Sequence, residues 1–315
     1  MKKLNYQKVF NTLVEKTKNY LELNKIKSMI LGISGGIDST VVAAICSEVK
    51  KRSEGKINFI GISMPIKNKE DEFNTSLVVG EAFCGKECFE VFNLKETYNL
   101  VSQDFIEAKR SFSIKNSGCV ISKTSTPISE GNIQARLRMI NLYDRASLET
   151  GIVFSTDNAT EYNLGFWTLH GDVGDFNPLF GLWKTEVYGL AKWLVSNYYK
   201  QEEDNSKIEA LKLSTNLTPT DGLGISGSDL EQIGGSSYEE VEKVLNDILD
   251  YNAIRSLSSH KNIEDVNYIV ENYIKWSSEA KDNPELYRKI AWRHFASEFK
   301  RRDLPVVIKR FEYSE

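Results

Sequence analysis

Apolar residues recur at helical spacing over residues 6–23 (Val9, Phe10, Leu13, Val14, Tyr20, Leu21), which predicts an opening amphipathic helix. Residues 28–33 form a short continuous apolar run, the pattern of a strand buried on both faces. Val41, Val42, Ala43, Ala44, Ile45 and Val49 then continue as a helix with a broad apolar face. The same alternation repeats: a strand over 57–62, a helix over 70–83, a strand over 88–92, a polar helix over 95–110. Residues 111–130, rich in Ser, Thr, Lys and Gly, read as a loop that covers a ligand or moves. A long helix over 132–148, a fourth strand over 151–156 and a helix over 184–199 follow. Residues 215–237 read as a second loop, and helices over 237–251, 263–276 and 284–299 precede a basic tail over 300–305. Strands alternating with helices predict an α/β fold, a doubly wound parallel sheet flanked by helices, with a helical C-terminal portion. Ligands of such sheets sit at the carboxyl ends of the strands.

A chain of 315 residues with a net charge of −4 is large enough for a substantial core and lacks the basic excess of a dedicated nucleic-acid surface. We expect one domain over residues 1–315. No run of 18 apolar residues is present, and Met1-Lys2-Lys3 leads into an amphipathic helix, so no membrane association is expected and the location expected is cytoplasmic. The 4 cysteines, Cys46, Cys84, Cys88 and Cys119, are irregularly spaced and read as reduced structural thiols, since the Cys84/Cys88 half-site has no second pair.

Candidate chemistry starts at Leu31-Gly32-Ile33-Ser34-Gly35-Gly36-Ile37-Asp38-Ser39-Thr40, between the first strand and its helix. A tight turn into a helix N-terminus leaves backbone N–H groups pointing one way, where the helix dipole also favours anions. Gly35 and Gly36 allow close approach, and Ser34 and Ser39 add hydroxyls. The turn has no Lys of the Walker type, and Asp38 stands in that region instead. A carboxylate beside polyphosphate calls for an intervening cation, hence Mg²⁺. The alternative is a plain Gly-rich turn.

Arg136 and Arg138 lie about 200° apart on a helix and cannot serve one ligand group; both also read as surface arginines. Thr156-Asp157-Asn158-Ala159-Thr160-Glu161 follows the fourth strand, on the rim of the phosphate turn. Asp157 there reads as a helix cap, and Glu161 either as a first-turn dipole partner or as a second Mg²⁺ carboxylate. Asp172 and Asp175, in His170-Gly171-Asp172-Val173-Gly174-Asp175, are turn residues or ligand contacts. Lys184 opens a helix, the wrong end for a cation, so an anionic partner is expected, with phosphate the candidate.

Together the motifs S-G-G-x-D-S (34–39), G-N-I-x-A-R-x-R-M (131–139), T-D-x-A-x-E (156–161), G-D-x-G-D…P-L…K (171–184), P-T-D-G-L (219–223) and S-D-x-E-Q-I-G (228–234) resemble the ammonia-dependent NAD⁺ synthetases of the ATP pyrophosphatase group. The resemblance runs from about residue 28 to 305. It implies a homodimer built through long helices. ATP is implied to be held by Gly32, Ser34, Gly35, Gly36, Asp38, Ser39, Thr156, Lys184 and Thr220, with Mg²⁺ between Asp38, Glu161 and the triphosphate. Nicotinic acid adenine dinucleotide is implied to contact Arg136, Arg138, Tyr143, Asp172 and Asp175, with Asp175 near the reacting carboxylate. The implied catalytic residues are Asp38, Asp175 and Lys184. The implied reaction converts the nicotinate carboxylate to an acyl adenylate, releases pyrophosphate, and lets ammonia displace AMP. Competing readings are another ATP pyrophosphatase acting on a different carboxylate or carbonyl, and a nucleotide-binding sensor on the same fold.

Overall fold

A computed structural model describes residues 4–115, 126–220, 227–257 and 265–301. Cys119, His260, residues 221–223 of the P-T-D-G-L motif, the expected helix start at 263–264, and tail residues 302–305 lie outside them. Contacts divide the chain into two units, Met1–Asn158 with Thr168–Asp229, and Ala159–Trp167 with Leu230–Glu315.

The first unit holds helices α1 (Tyr6–Leu23), α2 (Ile37–Arg52), α3 (Glu70–Cys84), α4 (Lys95–Lys115) and α5 (Thr126–Leu148), and strands β1 (Ser28–Gly32), β2 (Asn58–Ser63), β3 (Phe89–Val91) and β4 (Gly151–Val153). The strands form one parallel sheet in the order β3-β2-β1-β4. Ser28 pairs with Asn58 on one side and Gly151 on the other. The chain winds outward from β1 to β3, then returns to place β4 on the other flank of β1. The switch point therefore lies between the ends of β1 and β4, where such sheets bind ligands.

The strands are apolar in succession because helices cover both faces. Met29 and Leu31 point into a cluster with Phe10, Val41, Ile45, Val187 and Leu211, whereas Ile30 points into the opposite one with Ile60, Leu142 and Val153. α2 is buried almost all round, which explains its lack of a polar stripe. Asp38 in its first turn and Lys50, Lys51 and Arg52 in its last complement its dipole.

Helix α7 (Lys184–Trp193), α8 (Tyr199–Gln201) and α9 (Asn205–Asn216) complete this unit. The expected continuous helix over 184–199 is instead widened to a π turn over Leu194–Tyr198. With i→i+5 hydrogen bonds in place of i→i+4, Leu194 and Tyr199 both reach the core, and Tyr198 meets Phe10 with ring centroids 5.0 Å apart. The expected loop over 111–130 is corrected at its two ends, its middle (116–125) lying outside the described residues. Helix α4 runs on to Lys115 and α5 begins at Thr126, with Pro127 in its first turn, where a missing N–H costs nothing.

The second unit is helical: α6 (Ala159–Leu164), α10 (Asp229–Ile233), α11 (Tyr238–Leu257), α12 (Val266–Trp276) and α13 (Pro284–Ala296). Helix α10 falls inside the expected second loop. Val241, Val244, Leu245, Ile248, Tyr273, Ile290 and Ala291 form its buried interior. Carbonyls at and just past the end of α6 are held by the C-terminal segment: His294 Nδ1 lies 2.8 Å from Asn163 O, and Lys300 Nζ donates to Gly165 O at 2.8 Å. No helix of the described residues is long and apolar enough to cross a membrane.

Candidate active site

Gly35 turns the chain at φ +87°, and a Cβ there would come within 2.6 Å of Glu72 O. Only glycine lets the turn lie this close to α3. The turn is braced from within. Ser39 Oγ donates to Gly36 O at 3.0 Å, Ser34 Oγ lies 3.0 Å from Ser39 Oγ, and Gly36 N donates to Ser34 Oγ at 3.2 Å. Buried Thr40 Oγ1 donates to Gly36 O at 2.9 Å and lies 2.7 Å from Ser214 Oγ, which ties α9 to the turn.

Asp38 is the hub. Its Oδ1 accepts from Asn158 Nδ2 at 2.9 Å and its Oδ2 from Lys184 Nζ at 2.5 Å. Side-chain exposure is 4% for Lys184 and 15% for Asp38, so the pair is largely out of water. The anion that compensates Lys184 at the start of α7 is thus a carboxylate 146 positions away in sequence. Asn158, fully buried in the segment that follows the fourth strand, is a partner not expected from the sequence; its signal is an amide inside the T-D-x-A-x-E motif.

β4 ends at Val153, short of the expected Thr156, and Phe154 bridges to Phe176. Asp157 beyond it accepts from Ser155 Oγ at 2.6 Å and takes Asn177 Nδ2 on its backbone carbonyl at 2.9 Å. Its carboxyl is pushed up to about 7 by loss of water first and by the charges of Asp172 and Asp38 after it.

The residues expected to meet the dinucleotide separate into two settings. Tyr143 OH donates to Asp175 Oδ1 at 2.8 Å, and Val153 N donates to Asp175 Oδ2 at 3.0 Å. Desolvation and then the Asp175 carboxylate hold the Tyr143 phenol up at about 12. Gly174 lets this loop lie flat on β4, since a Cβ would fall 2.6 Å from Val153 O. Asp172 Oδ1 accepts from Thr168 N at 2.9 Å, and exposed Arg136 donates to Leu169 O at 3.0 Å. Arg138 turns inward, donating to Met64 O and Asn68 Oδ1, both at 3.2 Å. Desolvation lowers its guanidinium to about 10, against the opposing charges of Glu72 and Asp172. Thr220 Oγ1 donates to Glu72 Oε1 at 2.9 Å, a partner absent from the sequence reading because an acid in a helix's first turn reads as a dipole partner. Glu161 stands in the first turn of α6, in the second unit.

Among the described residues no group of three or more His, Cys, Asp and Glu side chains converges on a metal position. Asp38, a single carboxylate beside a turn rich in N–H groups, is nonetheless the donor set that Mg²⁺ takes when phosphates supply the remaining oxygens. Cys46, Cys84 and Cys88 are free thiols.

The arrangement can seat an anion on the turn, place one buried cation and one carboxylate beside it, and present polar groups from β4 to whatever lies there. The profile of the NAD synthase family matches residues 9–284. The NH₃-dependent NAD⁺ synthetase of Fusobacterium nucleatum is 30% identical over 97% of this chain and 97% of its own. That of Thermococcus sibiricus is 34% identical over 62% of this chain and 68% of its own. Among solved structures, the NMN synthetase of Francisella tularensis shares the fold with a TM-score of 0.66, at 22% identity over 97% of this chain and 99% of that one.

Proposed function

This chain belongs to the NAD synthase family, and from that premise we propose that it amidates nicotinic acid adenine dinucleotide with ammonia, forming NAD⁺ and releasing AMP and pyrophosphate. The observation that carries the reading is the Asp38 hub, a carboxylate held by Lys184 and Asn158 where the phosphate turn meets the switch point of the sheet.

A carboxylate resists ammonia because oxide is a poor leaving group, and joining it to AMP supplies a good one. The protein's part is positioning and electrostatics rather than covalent catalysis. N–H groups of the Ser34–Ser39 turn orient the triphosphate, with Gly32 at the end of β1, Thr156 in the segment after β4 and Thr220 at a further phosphate. Lys184 stabilises the charge that develops on the phosphates. Asp38 would hold Mg²⁺ on the triphosphate, with Glu161 the second carboxylate that the sequence offers, and the ion would neutralise phosphate charge. Arg136 and Tyr143 line the dinucleotide side, and Arg138 supports it from beneath. Asp175 accepts two hydrogen bonds in the structure and keeps lone pairs to take a proton from ammonium, with Asp172 beside it.

The chain acts as a homodimer and residues 1–315 as one functional domain. Outward apolar side chains on α5, Ile140 at 67% and Leu148 at 75% exposure, support the dimer. The free thiols of Cys46, Cys84 and Cys88 support a reducing, cytoplasmic location.

The NMN synthetase neighbour makes amidation of a mononucleotide the second reading, and one assay separates the two. The protein is incubated with ATP, Mg²⁺, ammonium and either the acid dinucleotide or the acid mononucleotide. NAD⁺ with equal AMP is expected from the first. Amide formed only from the mononucleotide would replace the substrate, and ADP with orthophosphate would overturn the chemistry.

A further inference from the structure

We propose that Glu72 sets the affinity for ATP by holding the hydroxyl proton of Thr220, which makes Glu72 a positioning residue of the nucleotide site. The inference rests on reading Thr220 as a phosphate contact.

Glu72 is the third residue of α3, and both its ends are engaged at the site. Its backbone carbonyl is the atom that a Cβ on Gly35 would strike, so the residue packs directly on the phosphate turn. Its Oε2 accepts from Lys69 N at 3.3 Å and closes the start of the helix. Its Oε1 accepts from Thr220 Oγ1 at 2.9 Å. Ahead of α3 the same connection is fastened by Asn68, whose Oδ1 accepts both Ile66 N and Arg138, each at 3.2 Å. The carboxylate is therefore anchored on a braced segment rather than on a free surface arm.

A threonine hydroxyl has one proton to give. While Thr220 gives it to the Glu72 carboxylate, it cannot give it to a phosphate oxygen. Nucleotide binding must accordingly break a charge-assisted hydrogen bond before making another of the same kind, and the net gain from Thr220 is small. A glutamine in place of Glu72 changes this balance. Its carbonyl oxygen still accepts Lys69 N, while its amide donates to Thr220 Oγ1 and leaves the hydroxyl proton free for phosphate.

The test is calorimetric titration with α,β-methylene-ATP and Mg²⁺, a probe that cannot be cleaved at the bond in question. Glu72→Gln is expected to tighten binding by about three- to tenfold, the worth of one released hydrogen bond. Thr220→Val, which deletes the hydroxyl, is expected to weaken binding. In the Thr220→Val background Glu72→Gln then changes affinity by less than about twofold, and in the Thr220→Ser background the gain returns. Circular dichroism and the thermal midpoint confirm that each variant is folded. An unchanged or weaker Glu72→Gln overturns the proposal. So does a gain that persists with Thr220→Val, since that is plain relief of charge repulsion, and so does a Thr220→Val protein that binds as well as the parent. If the parent itself fails to bind the analogue, the underlying reading of the nucleotide site falls, a result distinct from all of these.

Discussion

Lys184 occupies the first position of α7, where the helix's own partial positive charge opposes it, and it is buried there. The Asp38 carboxylate 2.5 Å away offsets that placement. Removing either partner leaves a charge in a poorly solvated site. Lys184→Met is therefore expected to cost roughly 2–4 kcal/mol, at the lower side of buried pairs because Asp38 keeps 15% exposure. Asp38→Asn shifts stability in the same direction, and the double variant loses less than the two singles together. Urea unfolding midpoints check this. NAD⁺ formation behaves differently: it falls at least about a hundredfold in both singles and does not return in the double variant, because the charges that face the phosphates are gone. A double variant that regains activity with its stability would make the pair structural only. Each of the two residues was legible as chemistry in the sequence, Asp38 from the motif around it and Lys184 from its misfit with the dipole. Their pairing was not, since no local pattern connects positions 146 apart.

At the level of elements, periodicity located β1, α1 and α2 closely because each has one environment along its length. It failed where composition and packing disagree. Residues 111–130 are dominated by Ser, Thr, Lys and Gly, which reads as loop, yet 111–115 and 126–130 at its two ends continue helices, and the core face of α5 lies further along it, where Leu142 and Ala146 join Ile30. Helix α6 is the opposite case, too short for a periodic signal and fixed by tertiary partners. Thr160 Oγ1 donates to the fully buried Glu242 at 2.8 Å, and His294 reaches Asn163 O. His294 also faces Asn252 Nδ2 at 3.2 Å, so a neutral ring that donates from Nδ1 and accepts at Nε2 satisfies both neighbours. Burial first, and the nearby Arg301 charge second, lower its pKa to about 4, while the backbone contact to Asn163 opposes this. The folded state thus binds its proton less readily than the unfolded chain does. Between about pH 6.5 and 4 the unfolded chain gains a proton that the folded one lacks, and stability falls as pH falls. Above pH 6.5 the group has no effect. Urea midpoints of the parent are expected to drop across this window, and those of His294→Gln, which has no charge to gain, to drop less. Parallel slopes would show that other groups set the acid limit.

For the whole molecule, the sequence placed the phosphate turn, the switch-point strand and the helical C-terminal third, but not the grouping of residues 159–167 with that third. Its cause is the set of side-chain partners just described, which come from distant parts of the chain. Assembly is the other property of this scale. On α5, Leu142 and Ala146 face the core, whereas Ile140 and Leu148 project outward together with Tyr143, whose hydroxyl bonds Asp175. Exposed apolar side chains of this kind on a long helix are costly to leave in water, and covering them with the same helix of a second chain satisfies both copies by a two-fold axis. The parent is accordingly expected to sediment at twice 35.8 kDa, with a thermal midpoint that rises with protein concentration. Ile140→Glu replaces one of these apolar side chains by a charge and is expected to sediment at 35.8 kDa, with a midpoint independent of concentration. Since the same helix carries Tyr143 of the Tyr143–Asp175 pair, the monomeric variant is also expected to show a raised KM for the acid dinucleotide and a smaller change in the KM for ATP. A parent that sediments at 35.8 kDa, or a monomeric variant with both KM values unchanged, would separate the site from assembly.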